Sequence, residues 1–244
     1  MQEGLVAIAD TRILSGNECT IARKLWVFQN DTHAMFLTTS GLRSLSDKAR
    51  TYFNEIIAEQ EAPFDRVYKA VNAFAGQIRR VAQEDEKFLV ESGLPFNIHV
   101  LIGGQFSGDT QPHLYLIYPQ GNWIEIREGT PYHVIGSSGY GKPILDRTLR
   151  YDTSMRTAIK IGCLAFDSTR ISATDVDAPI DIVLYARDTF QMIEKRYSKE
   201  DLQGLTTSWQ EQIRSAVDKF NAEWIDPLMA QLPSVGGPRR AESK

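Results

Sequence analysis

Residues 136–143 read GSSGYGKP, and the first seven satisfy G-x-x-x-x-G-K. In a phosphate loop that spacing wraps backbone N–H groups around an anion and sends the lysine, here Lys142, to the outer phosphates. The eighth position should be a Ser or Thr hydroxyl that holds magnesium. It is Pro143, which supplies neither a hydroxyl nor an N–H. The nucleotide reading therefore rests on glycines and one lysine. Other residue types with chemical potential are sparse. His33, His99, His113 and His133 read as isolated from one another, each a packed or exposed strand residue. Cys19 and Cys163 lie far apart, without metal-ligand spacing, so the sequence implies no metal and no cofactor.

The elements that must position any site follow from the periodicity of 244 residues, 42% hydrophobic and 24% charged. GLVAIAD (4–10) is almost wholly apolar, as a strand buried on both faces should be. KLWVFQ and HAMFLTTS, separated by NDT, read as a hairpin. Leu42, Leu45, Ala49, Tyr52, Phe53, Ile56 and Ile57 then share a helical face, and a second stripe runs from Val67 to Val81. Strands are predicted in FNIHVLIGG, HLYLIYPQGNWIEI and PYHVIG, and helices in KPILDRTLR and SMRTAIKIGCLAF. IDIVLYARD and FQMIEKRY form a last strand pair. A long amphipathic helix carries Leu202, Leu205, Trp209, Ile213, Val217, Phe220 and Trp224, whose aromatics read as core packing.

Blocks of strands alternate with blocks of helices, unlike the strand–helix–strand order of a parallel sheet. The expected fold is α+β, a four-layer αββα sandwich of two mostly antiparallel sheets between helical layers. It occupies 1–232 as one domain, with 233–244 a disordered Pro/Gly and charged tail. A net charge of −4 and a pI near 5.6 offer no general attraction for nucleic acid or an anionic membrane. No apolar run approaches the ~20 residues of a membrane helix. No basic-then-apolar leader is evident, and a cytoplasmic protein with reduced thiols is expected.

EGLVAIADTR, RKLWVF and TTSGLRS, in that order, resemble the proteasome β-type N-terminal nucleophile hydrolases. GGQFSGDTQPHLYLIYPQGN is similar to that family's strand pair ending in a Gly turn, and IGSSGYGKPILD to its Gly-Ser element. Within the family the likeness is greatest to the bacterial proteasome-like Anbu proteins, through YGKPILDR, FDST and PIDIVLYARD. The resemblance covers residues 3 to about 195. It implies threonine-type hydrolysis of a peptide or amide bond, in which an N-terminal Thr Oγ attacks and its own α-amine serves as base. A nearby Lys ammonium eases deprotonation, and an Asp holds that Lys. By this resemblance Asp10 is the Asp, Lys24 the Lys, and Asp167 an Asp near the N-terminal amine. Ser137 or Ser138 is the Ser of the Gly-Ser element, Ser172 a further partner in the same loop, and the Gly41 N–H an oxyanion donor. Taken alone, Asp10 would be a strand-end turn former and Lys24 a solvated charge.

The sequence departs from this pattern at the nucleophile. The family places Thr at the head of a strand preceding the turn into GLVAIAD, whereas this chain begins Met1-Gln2-Glu3-Gly4, already inside that turn. One expectation is that Met1 is an internal methionine and an upstream strand brings the Thr, so that the chain as given is a truncated or inactive form. The alternative is a non-catalytic structural subunit of a proteasome-like homo-oligomer. Expected partners are identical subunits in a ring- or spiral-like assembly and a peptide or amide substrate, with no nucleic acid and no membrane.

Overall fold

The structure is a computed structural model and describes residues 1–59 and 64–232. The expected disorder of 233–244 lies outside the described residues. The described residues divide into two compact units, one up to Gln203 and one from Gly204 onward.

The first unit is a four-layer αββα sandwich, and all its strand pairs are antiparallel. One sheet has the order β1-β9-β10, built from Gly4–Asp10, Ile180–Ala186 and Met192–Tyr197. The other runs β4-β5-β6-β7-β8, from Leu25–Asn30, His33–Gly41, Ile98–Phe106, His113–Ile117 and Trp123–Glu125. β2 (Arg12–Ser15) and β3 (Glu18–Ile21) form a separate hairpin. The NDT turn does join β4 to β5 as a hairpin.

Two buried faces explain why β5 shows no polar alternation. Met35 and Leu37 point outward to the helices α1 (Arg43–Glu59) and α2 (Val67–Glu91), where they pack with Phe53, Phe74, Ile78 and Ile102. Ala34 and Phe36, on the opposite face, meet Leu5, Ala7, Val183 and Tyr185 of the other sheet. On that sheet's far side, α4 (Met155–Ser172) packs against β1. α3 (Lys142–Thr148) joins it through Leu145 and Leu149, which meet Ala158, Ile161 and Ala165. β1 is thus covered on both faces, as its apolar run requires.

Gln105 of β6 ties the sheets together inside the core. Its carbonyl oxygen accepts from Tyr185 Oη and from the Asp188 N–H, both at 2.9 Å, and its Nε2 donates to Asp188 Oδ1 at 2.6 Å. Asp188 stands at φ 63°, a conformation that these bonds hold in place.

Several elements differ from expectation. PYHVIG forms no strand; residues 131–135 are irregular, and their side chains pack toward α3 and α4 instead of entering a ladder. The β2–β3 hairpin was not foreseen, although Gly16-Asn17 between two short β-prone runs was its signal. The long helix α5 (Lys199–Lys219) opens with a reciprocal cap in which Ser198 and Asp201 each accept the other's N–H. It ends before Trp224, because Asn221 Oδ1 accepts the Glu223 N–H at 2.8 Å and starts a new turn, Glu223–Ile225, followed by α6 (Asp226–Met229). The expectation that Phe220 and Trp224 are core residues is therefore corrected: both are exposed, and Trp209 is half-buried. The cysteines are free, Cys19 exposed and Cys163 buried.

Replacing Gln105 with Leu should leave the Tyr185 hydroxyl and the Asp188 N–H without that acceptor. A loss of about 2–3 kcal/mol in urea denaturation is expected, with an unchanged m-value.

Candidate active site

Four pieces of chain converge on one cleft of about 530 Å³. It runs the whole length of β1, from Gly4 to Asp10, and is closed by β4–β5, by residues 131–142, and by the facing sides of α3 and α4. β1 pairs with β9 on one side; its other edge has no ladder partner among the described residues.

Asp10 and Lys24 meet inside this cleft. Lys24 Nζ donates to both carboxylate oxygens of Asp10, at 2.8 and 2.9 Å. Backbone geometry sets the pair from both sides. Asp10 is the last residue of β1, paired with Ile180, and its Oδ2 accepts the Arg12 N–H at 2.9 Å in a two-residue turn. The Lys24 carbonyl accepts the Thr39 N–H of β5 at the mouth of the β4–β5 hairpin. Thr11 secures the corner, since its hydroxyl donates to the Pro179 carbonyl at 2.8 Å.

Both side chains are largely shielded, at 13% exposure for Asp10 and 21% for Lys24. Burial lifts the Asp10 carboxyl above the ordinary carboxylate range, and the Lys24 charge and hydrogen bond together with the Arg12 N–H pull it back only in part. Asp175 adds to the lift, which places its charge near the pair. It also accepts from Ser137 Oγ, at 2.9 and 3.1 Å. Sequence reasoning missed Asp175, which sits in an acidic loop after α4 with no motif to distinguish it.

The other expected site residues divide. Gly41, Ser137 and Ser138 line the cleft with Asp10 and Lys24. Gly41 has φ +104°, and a Cβ there would stand 2.2 Å from the Asn97 carbonyl oxygen, so only glycine fits this end of β5. Asp167 and Ser172 do not line the cleft. Asp167 is buried on α4, where Oδ1 accepts from Arg170 at 2.9 Å; Ser172 is the exposed last residue of that helix, not a loop residue.

The histidine expectation needs one correction. His133 lines the cleft, and its imidazole is held below its ordinary pKa by burial first and by the neighbouring His99 second, so these two are not isolated from each other. No group of three or more His, Cys, Asp or Glu residues is arranged to hold a metal ion among the described residues.

GSSGYGKP forms part of this wall. Gly136 turns at φ +83°, while Gly141 is pressed so close to α4 that a Cβ would lie 2.6 Å from the Ala165 carbonyl oxygen. Lys142 Nζ is engaged by both oxygens of Asp146, at 2.8 and 2.7 Å. The segment precedes a helix of only seven residues, with no parallel strand before it, so a phosphate loop lacks its setting.

An antiparallel αββα sandwich with a Lys–Asp pair at the end of a doubly covered strand defines the class. A proteasome-subunit family model matches residues 1–182, and the chain belongs to the proteasome-subunit family. It is similar in structure to a Gly-1 mutant of Anbu from Hyphomicrobium sp. strain MC1, at 33% identity and a TM-score of 0.83, over 91% of this chain and 95% of that one. Anbu from Yersinia bercovieri, an ancestral β-subunit, gives 28% identity and a TM-score of 0.84, over 91% and 96%. The helical assembly of the Anbu complex from Pseudomonas aeruginosa gives 29% and 0.85, over 90% and 94%. No curated protein matches. No helix among the described residues is long and apolar enough to cross a membrane.

The raised Asp10 pKa fixes the sign of a pH effect. Between the ordinary value of 3.8 and the raised one, the folded state holds a proton that the unfolded state releases, so the stability due to Asp10 grows as pH falls. Lys24→Met removes the counter-ion from a shielded carboxylate. It should cost about 3 kcal/mol near neutral pH, with a smaller loss near pH 5, where Asp10 takes up its proton more readily. Urea denaturation at the two pH values checks both.

Proposed function

We propose that this chain is the frame of a proteasome-like amide hydrolase of the N-terminal nucleophile type, working on peptides or related amides. The observation that carries the reading is the Asp10–Lys24 pair, set in a cleft beside Gly41, Ser137 and Ser138 and along an unpaired strand edge.

Each group has a chemical part. The Lys24 ammonium lowers the cost of deprotonating a hydroxyl brought beside it, and Asp10 keeps that ammonium aimed through its two hydrogen bonds. The Gly41 N–H receives the developing oxyanion. Ser137, held by Asp175, and Ser138 provide hydroxyls for an α-amine acting as the base. Asp167 and Ser172 support the site from α4 without touching the substrate. The nucleophile itself would be a Thr heading an extended segment that adds to the edge of β1 that has no ladder partner among the described residues. A strand in that position completes the sheet and delivers its head to the Lys24 end. Identical subunits assemble as partners in this reading, as in the related helical assembly, in the cytoplasm of a bacterium.

A second reading, a non-catalytic structural subunit, is favoured by one observation. The segment leading into β1 is fastened into the fold, with the Gln2 N–H on the Tyr151 carbonyl and Glu3 accepting the Met155 N–H at 2.7 Å, as a fixed structural element would be.

Native protein separates the two. Hydrolysis of a fluorogenic peptide is expected, together with an intact mass that places a Thr-headed strand before Gly4. Lys24→Ala should then reduce the rate at least ~100-fold, the scale of losing one positioned electrostatic stabiliser. A mass beginning at Met1 with no hydrolysis selects the structural subunit.

A further inference from the structure

One wall of the cleft brings two imidazoles near each other. Ser40 of β5 and His99 of β6 stand directly opposite in the ladder, so their side chains leave the same face of the sheet. The segment before α3 passes over that face, where a Cβ built on Gly136 would lie 3.8 Å from Ser40 Cβ. His133, three residues earlier, lines the cleft and is close enough to His99 to sense its charge. The Tyr118 ring also stands beside His99, edge-on at 6.3 Å.

The charges that act on His133 are of one sign. After burial itself, His99 and then Lys142, at the start of α3, oppose a proton there. The carboxylates bound to this segment are engaged elsewhere: Asp146 accepts from Lys142 Nζ and Tyr132 Oη, and Asp175 accepts from Ser137 Oγ. Neither acts on His133. Tyr118 and Tyr132 are the remaining titratable groups beside the pair. A protonated His133 is a half-buried cation among like charges, so a displaced wall takes up that proton more readily than a closed one. The contribution of His133 to closure is complete above its ordinary value of 6.5 and is lost as pH falls below it.

The wall is also the part of the cleft with the weakest backbone hold. Among the described residues, 131–137 make no backbone–backbone hydrogen bond. Side chains hold them instead, Tyr132 and Val134 against α3 and α4, and Ser137 on Asp175. The sheet beneath has an unbroken β5–β6 ladder from His33 opposite Phe106 to Gly41 opposite Ile98. Segments held by side chains alone open at lower free energy than such ladders.

We propose that residues 131–138 are an acid-released wall, in which protons on His133 and His99 push this segment off the β5–β6 face and widen the cleft while the sandwich stays folded. The release does not depend on the hydrolase reading, since the wall and both imidazoles are there whatever occupies the cleft.

Hydrogen exchange read by mass spectrometry on the full-length chain, at pH 7 and pH 5 with intrinsic rates corrected, tests this. Opening of peptides within 131–138 should rise on the order of 10-fold at pH 5, while those of α2 change less than about 2-fold. His133→Gln is neutral at both pH values and should keep the wall closed. His99→Gln removes the opposing charge and should at least halve the response. Equal responses in the parent and His133→Gln overturn the proposal, as does exchange at 131–138 that ignores pH. An equal rise in α2 overturns it too, because acid then unfolds the unit as a whole. Should His133→Gln lose its near-ultraviolet circular dichroism, His99→Gln decides, and a full parental response in that variant rules the release out.

Discussion

β1 is the constraint around which the rest of the first unit is arranged. Its residues are apolar on both faces because one face meets the five-stranded sheet and the other meets α4. A strand so enclosed must still bond its backbone, and the described residues supply a ladder on only one side, from β9. The edge left over borders the cleft. Covered faces and an open edge make a slot with the shape of an extended chain, because only another strand can satisfy a row of N–H and C=O groups at strand spacing. The position of the Asp10–Lys24 pair follows from this, since Asp10 is simply where β1 ends and the chain turns out of the sandwich.

Much of this architecture was legible in the amino-acid sequence because burial on two faces leaves a plain signature. GLVAIAD and HAMFLTTS lack polar alternation, and both proved to be covered on each side. The helical stripes of α1 and α2 were equally plain, since one face alone had a core to meet. Periodicity failed where it reports apolar character without reporting what receives it. PYHVIG is apolar enough for a strand, yet it packs by its side chains alone and reaches no sheet edge. In α5 the stripe keeps the proper spacing, yet Leu205 and Trp209 are only half-buried and Ile213 and Val217 are exposed. The same spacing that marks a core helix also marks a stripe that the fold leaves facing solvent, and periodicity alone does not distinguish them.

The candidate site was legible only through ordered likeness to a family. Asp10 and Lys24 lie 14 residues apart, on the ends of different sheets, and nothing in that spacing foretells the 2.8 Å contact. Gly41 and the Gly-Ser stretch also came together only because the fold wraps β5 and the segment before α3 around one cleft. Asp175 had no such guide. Its role depends on where a loop after α4 happens to pass, and loops are placed by their anchors more than by their own residues.

The pair's chemistry and its mechanics are inseparable. Sheet joins sheet through polar ties at both ends of the sandwich: Gln29 accepts the Met192 N–H at 2.7 Å and Gln105 grips Asp188 and Tyr185, while Arg23 meets Glu194 and Lys24 meets Asp10. Lys24 immediately precedes β4 and Gln29 stands near its end, so that strand is tied to the facing sheet at both ends. Rigid fastening is what the role proposed for Lys24 needs, because a displacement of about 1 Å can cost a factor of ~100 in rate. It follows that loss of activity on changing Lys24 would not by itself identify a chemical role, since loosening β4 moves the cleft wall too. The pH dependence of stability separates these effects: a charge interaction with Asp10 changes with that carboxyl's protonation, whereas lost packing does not.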